Sequence, residues 1–174
     1  GFLQLIADQI AQLDMFHARD RLDIDLFCLV IHDNMECFVV NRDPRDVFIL
    51  NKYVWTRDGD PVPFPTDVNE FCGYYKRLRS IEKKCDNPHV HIIQFEDLIY
   101  KYDEKLKQIM GILQLDRAAH LKKKIMFDPE KSINNTQLFL KDRYRKEAEV
   151  IETKLQDFLY DFPYRNDADI DKSF

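Results

Sequence analysis

The sequence predicts an α/β protein that is rich in helix and contains a short parallel sheet. Two segments, Cys37 to Val40 and His89 to Phe95, predict the strands. The first is a continuous apolar run, which is typical of a strand covered on both faces, and both strands are expected to be buried. Long segments with apolar residues three and four positions apart predict the helices. Because two strands do not form a stable buried sheet alone, further strands, a partner chain or additional sequence must complete it.

The length allows one domain, and the composition is ordinary for a soluble globular protein. The 174 residues are 45% hydrophobic and 33% charged. We expect a single domain over residues 1–165 and an acidic tail over 166–174. The net charge of −5 argues against general nucleic-acid binding, which needs a basic surface. No apolar run reaches membrane-spanning length, no signal peptide is evident, and the four cysteines form no Cys-x-x-Cys pair. A cytoplasmic setting is expected, with a secretory or Golgi-type luminal setting left open.

Helical periodicity and capping residues place the helices. Thr66 is the expected cap of one of them, and Asn87-Pro88 ends it. The segment 23–34 is a helix or the first arm of a hairpin, since its link to the Cys37 strand is too short for a parallel crossover. We interpret it as a helix, with Asn34 at its end. Residues 126–138 are expected to form a polar loop. The predicted helices are 2–16, 23–34, 44–56, 66–85, 101–115, 116–124 and 141–159.

The junction after the first strand carries the strongest functional signal. Asp43 is the expected helix cap, followed by Pro44 at the first helical position. Asp46 is expected to reach back to the N–H of the cap as a capping-box carboxylate. Arg42 then lies at the C-terminal end of a strand, where ligands of open α/β sheets bind, and its planar guanidinium suits phosphate. Arg45 is expected to be a solvated charge in the first turn.

The segment Val39 to Val47 resembles the part of the sulfotransferase superfamily that binds the 3′-phosphate of 3′-phosphoadenosine-5′-phosphosulfate (PAPS). Two later segments agree in order and spacing. His91 to Leu98 resembles the later strand with its Glu-Asp-Leu turn, and Asp128 to Asn135 resembles the loop that closes over the nucleotide. The resemblance implies the P-loop NTPase-like α/β fold. It also implies transfer of a sulfuryl group from PAPS to a hydroxyl or amine of a carbohydrate or small molecule, without a metal.

The resemblance also implies a set of cofactor contacts. Arg42 would bind the 3′-phosphate in a bidentate manner. The serine that usually assists it, eight residues later, is replaced by Leu50, so that contact is lost or shifted to Asn51. Three residues of the late loop would complete the phosphate and ribose contacts: Lys131, Ser132 and Asn135.

Other parts of the family pattern are missing from the sequence. It has no Pro-[Lys/Arg]-Ser-Gly-Thr run and no Gly-x-x-x-x-Gly-Lys-[Ser/Thr] run, so the loop that grips the 5′-phosphosulfate is absent. We expect a domain incomplete at its N-terminus, or a diverged relative. The catalytic base is unassigned, with His17 as a candidate. The alternative function is a non-catalytic relative of the same fold that acts as a binding or scaffold module.

Overall fold

A computed structural model describes residues 36–55, 64–116, 118, 124–125 and 127–164. The described chain divides into two compact units, each assembled from two separate segments. The first contains residues 36–41 and 85–133, and the second contains residues 42–84 and 134–164. The helices and strands, in chain order, are β1 (Cys37–Asn41), α1 (Pro44–Ile49), α2 (Val68–Glu82), β2 (Val90–Gln94), α3 (Phe95–Tyr100), α4 (Tyr102–Ile112), α5 (Pro129–Ser132) and α6 (Arg145–Lys154).

The first unit contains the predicted parallel sheet. In the described residues it has two strands, β1 and β2, with Cys37 opposite Val90 and Asn41 opposite Gln94. Both strands therefore end at the same edge of the sheet. The β2 strand continues directly into α3, with Gln94 at the cap position. The expectation of a helix-rich α/β chain with a short parallel sheet is confirmed.

The second unit is built around α1, whose six residues are all buried. A π-helical turn, Leu50–Val54, extends it. One side packs on α2 and α6, where the rings of Phe48 and Phe71 lie 5.1 Å apart. The other side packs on the chain around the 3₁₀ turn Leu138–Leu140. Burying each large apolar side chain contributes roughly 1.5–3 kcal/mol, so α1 is the main packing element of this unit.

Several element boundaries differ from the predictions. The cap of α2 is Asp67 rather than Thr66, because the Asp67 carboxylate accepts the N–H groups of Asn69 and Glu70 at 2.9 and 3.0 Å. The region 126–138 is not simply a loop, since Asp128 caps the short helix α5. The single helix expected over 141–159 is instead α6 with flanking 3₁₀ turns at Asp142–Tyr144 and Gln156–Phe158.

Some predictions lie outside the described residues, namely the helices 2–16 and 23–34 and most of 116–124. Among the residues that are described, no helix is both long and apolar enough to cross a bilayer. A 3₁₀ turn, Ile133–Asn135, follows α5 directly.

Candidate functional site

Arg42 directly follows the last residue of β1 and is fixed at both its backbone and its side chain. Its carbonyl accepts the hydroxyl hydrogen of Tyr75, on α2, at 2.8 Å. Its guanidinium Nη2 donates to the carbonyl oxygen of Asn135, in the late loop. Two of the predicted site residues are therefore brought together. The contact uses the backbone of Asn135, so the amide side chain of that residue is not its basis.

Asp46, in the first turn of α1, holds the late loop. It is fully buried, and its carboxylate accepts the backbone N–H groups of Gln137 at 2.7 Å and Leu138 at 2.8 Å. The carboxylate binds a pair of N–H groups at the start of a tight turn, and the capping-box contact stays a prediction. Gln137 has a left-handed backbone conformation with φ of 58°, which is costly for a side chain of this kind. The carboxylate fixes the loop two residues beyond Asn135.

Arg45 is buried, so the prediction of a solvated charge is wrong. Its Nε and Nη2 donate to Asp43 at 2.9 and 2.7 Å, and its Nη1 donates to Glu152 at 2.8 Å. The guanidinium carbon lies 3.6 Å from the centre of the Phe139 ring. Burial by itself would lower the pKa of Arg45, but the bonds to Asp43 and Glu152 outweigh it and raise that pKa. The Arg45 guanidinium therefore remains charged, and its contact with Glu152 ties the first turn of α1 to α6.

Asp43 is the carboxylate of this ion pair and is also the cap of α1, as predicted. It is fully buried and accepts the backbone N–H of Arg45 at 2.9 Å, besides the two guanidinium hydrogens. It also accepts the N–H of Tyr160 at 3.0 Å. Each of these donors replaces a contact with water that the buried carboxylate loses. The residue after Arg42 is thereby held rigidly.

Asn51 and Leu50 serve the interior of the second unit. Asn51 is fully buried; its Nδ2 donates to the carbonyl of Phe64 and its Oδ1 accepts the N–H of Phe64, both at 3.1 Å. Leu50 packs in the apolar cluster beside the Leu138–Leu140 turn. The shift of a phosphate contact to Asn51 stays a prediction, and the geometry gives its amide a bracing role on the Phe64 backbone.

The remaining predicted site residues lie elsewhere in the chain. Lys131 and Ser132 belong to the first unit, at the end of α5. The Lys131 side chain is 87% exposed, and its Nζ lies 3.8 Å from the Asp128 carboxylate. Both residues stay predictions as nucleotide contacts. His17 lies outside the described residues.

The first unit also contains a carboxylate between two imidazoles. Glu36 Oε1 lies 3.0 Å from His89 Nδ1, and Glu36 Oε2 lies 2.5 Å from His91 Nε2. The hydrogen bond to His91, followed by that to His89, lowers the pKa of Glu36. Within the part of the chain that the structure describes, no group of three or more histidine, cysteine or acidic residues is arranged to hold a metal ion.

The buried ion pair of Arg45 is the feature that sequence reasoning missed. A signal for it was present, because the segment after Pro44 is Arg45-Asp46 followed by the apolar run Val47 to Leu50. A helix that is apolar nearly all round is buried, and its charged residues must then be paired inside the protein.

Together these contacts hold the Arg42 side chain at a rigid position directly before α1. Its guanidinium lies against the Asn135 carbonyl, in a loop that the buried Asp46 carboxylate fixes. An arginine held in this way suits recognition of an oxyanion such as phosphate. No protein-family model, curated protein or solved structure matches this chain.

Proposed function

We propose that this chain is part of a PAPS-dependent sulfotransferase in which Arg42 binds the 3′-phosphate of the nucleotide. The observation that carries the proposal is the contact between the Arg42 guanidinium and the backbone of Asn135. It joins two of the three segments that resemble sulfotransferases, although they are far apart in sequence. The P-loop NTPase-like architecture is part of the proposal.

The parallel strands support this assignment. Asn41 and Gln94 end β1 and β2 opposite each other, and the carboxyl edge of an open α/β sheet is where ligands bind. Arg42 is the next residue after Asn41. A nucleotide phosphate offers the guanidinium two charged oxygens, a stronger acceptor than the neutral carbonyl of Asn135.

In the proposed reaction, an oxygen or nitrogen of the acceptor attacks the sulfur of PAPS. The bond between sulfur and the bridging oxygen breaks, adenosine 3′,5′-bisphosphate leaves with the electron pair, and the acceptor proton passes to a base. Arg42 holds the nucleotide, and Asp46 keeps the late loop in place beside it. Lys131 and Ser132 are proposed as further contacts to the nucleotide. The acceptor is a hydroxyl or amine of a carbohydrate or small molecule.

A second candidate, a non-catalytic binding or scaffold module, is favoured by the residues that follow α1. Leu50 stands where sulfotransferases usually have a serine, and it is buried in an apolar cluster. The amide of Asn51 is bonded to the Phe64 backbone. A hydrogen bond to a charged group is worth roughly 1.5–3 kcal/mol, so losing this contact would weaken nucleotide binding by one to two orders of magnitude.

A ligand-induced stability measurement separates the two candidates. Adenosine 3′,5′-bisphosphate at 100 times its Kd should add about 2.7 kcal/mol to the free energy of unfolding. Arg42→Gln should weaken this binding about tenfold or more, because a charge-assisted contact is lost. Arg143→Gln, at an exposed position on the same unit, is the control and should bind as the wild type does. Absence of stabilisation in the wild type would favour the scaffold.

A further inference from the structure

The backbone of Arg42 is supported from a distant part of the chain. The last residue of β1 is Asn41, and the backbone hydrogen bonds of α1 begin with the Asp43 carbonyl, which accepts the N–H of Val47 at 3.0 Å. The Arg42 carbonyl lies between these two elements and accepts the hydroxyl hydrogen of Tyr75, on α2, at 2.8 Å. Because a peptide group is planar, this bond limits rotation of the peptide that follows Arg42. It thereby limits the direction in which the arginine side chain leaves the backbone.

The Tyr75 side chain is held by packing on several sides. Tyr75 is buried, and its ring centre lies 5.7 Å from that of Phe71 and 5.8 Å from that of Phe158. The guanidinium carbon of Arg79, one turn later on α2, lies over the same ring at 4.8 Å from its centre. Close packing of this kind leaves a side chain little freedom to change its torsion angles. The hydroxyl group is therefore delivered to the Arg42 carbonyl by a rigid side chain.

Arg79 is itself half of a largely buried ion pair on the same face of α2. Its Nη1 lies 2.9 Å from Oε2 of Glu82, and the two side chains are 12% and 8% exposed. Positions 75, 79 and 82 are four and three residues apart, so the three side chains follow one another along one face of the helix. In the part of the chain that the structure describes, the buried Nε of Arg79 has no hydrogen-bond acceptor. The Tyr75 ring and the Glu82 carboxylate are therefore the contacts that hold this guanidinium.

Folding does not require this row of polar groups. Two charges removed from water lose hydration that their attraction often fails to offset, so apolar residues of similar size often serve stability as well. The Tyr75 hydroxyl is equally dispensable for packing, because phenylalanine fills nearly the same space in an apolar cluster that already contains Phe48 and Phe71. The row nevertheless ends at the backbone of Arg42. Its effect is to fix the arginine that we assign to the nucleotide.

We propose that Tyr75 is a positioning residue for Arg42, held in place by Arg79 and Glu82, and that it strengthens binding of the 3′-phosphate. The inference rests on the proposed function, because it takes Arg42 as the group that binds this phosphate. A bidentate contact needs two guanidinium nitrogens aligned with two phosphate oxygens, so a small rotation of the arginine backbone weakens it. Tyr75 acts through the carbonyl of Arg42 and makes no contact with the nucleotide.

The test compares the 3′-phosphate preference of several variants, defined as the Kd of adenosine 5′-monophosphate divided by that of adenosine 3′,5′-bisphosphate. Both constants are measured by calorimetric titration of the full chain. A general loss of packing weakens the two nucleotides alike and cancels in this ratio, whereas a displaced Arg42 does not. The variant Y75F removes the hydroxyl group and retains the ring. The variant R79M/E82Q removes both charges of the pair, so that neither charge is left buried alone.

The matched control is Y53F. Tyr53 lies on the π-helical turn of the same unit and donates its hydroxyl hydrogen to Glu147 at 2.7 Å. Y53F therefore also loses one hydroxyl hydrogen bond, but the bond from Tyr75 to the Arg42 carbonyl stays in place.

We expect the preference to fall about threefold or more in Y75F, as for the loss of one hydrogen bond, and by part of that in R79M/E82Q. The preference of Y53F should stay within about twofold of that of the wild type. A preference that survives Y75F, or equal losses in Y75F and Y53F, would overturn this inference and leave the proposed function standing. A full preference in R79M/E82Q would overturn the roles of Arg79 and Glu82. A wild type that does not distinguish the two nucleotides would overturn the proposed function, and this inference with it.

Discussion

Replacing Arg45 with methionine tests the claim that this arginine, unlike its neighbour Arg42, serves folding. Methionine retains most of the side-chain volume against Phe139 but removes all guanidinium contacts. The change leaves Asp43 fully buried without its counterion. The contact with Glu152 matters less, because that carboxylate is 41% exposed and screened by water.

Removing one member of a buried ion pair costs about 3–5 kcal/mol, because the other charge stays buried. For a chain of this size, about 1 kcal/mol corresponds to roughly 2–4 °C in Tm, so we expect Tm to fall by roughly 6–20 °C. The double variant D43N/R45M should recover part of the loss, since asparagine can still cap the helix without carrying a charge. The recovery separates the buried charge from lost packing.

The assay is urea denaturation followed by circular dichroism, together with a thermal scan. Arg143→Met, at an exposed position, is the control and should change stability by less than about 0.5 kcal/mol. A loss below about 1 kcal/mol in Arg45→Met would refute the assignment of Arg45 to the interior. The assignment would also be refuted if D43N/R45M were less stable than Arg45→Met by the full free energy of a lost helix cap.

Two further predictions concern other buried or paired carboxylates. Asp46→Asn leaves one of two buried backbone N–H groups without an acceptor. The free energy of unfolding, measured by urea denaturation, should therefore fall by about 1–3 kcal/mol. An unchanged free energy of unfolding would contradict the role of Asp46 in holding the loop. Glu36 has a pKa below its usual 4.5, so its charge stabilises the fold above that pH and the effect disappears as pH falls through the lowered pKa. The stability gap between wild type and Glu36→Gln should therefore close below about pH 4.5, and a gap unchanged at pH 3 would contradict this.

The strands and the start of α1 were predictable because the local sequence patterns in these segments agree with the fold. The apolar run Cys37 to Val40 predicts the first strand, and Asp43 followed by Pro44 is a strong start for a helix. The structure confirms the two parallel strands and the cap. What the sequence does not contain is the pairing in space, because the partners of Asp46 lie 91 and 92 residues away. The local pattern placed Asp46 in the first turn of α1 but did not indicate this tertiary contact.

The candidate site was predictable only in part, for the same reason. Arg42 is identified by its place after a strand, and Asn135 by its resemblance to a late loop, but their contact is through a backbone carbonyl that side-chain patterns do not report. Asn51 shows the reverse case. Its amide suggested a ligand contact, yet in the fold it is bonded to the Phe64 backbone, which no short sequence pattern indicates.

The central claim is that the guanidinium of Arg42 binds the 3′-phosphate of a nucleotide. A double-mutant cycle between protein and ligand tests it, by calorimetric titration of wild type and Arg42→Gln with adenosine 3′,5′-bisphosphate and with adenosine 5′-monophosphate. We expect the wild type to prefer the bisphosphate about tenfold or more and Arg42→Gln to lose this preference, since one contact is removed from either side. A preference that survives the substitution, or a wild type that does not distinguish the two nucleotides, would contradict it.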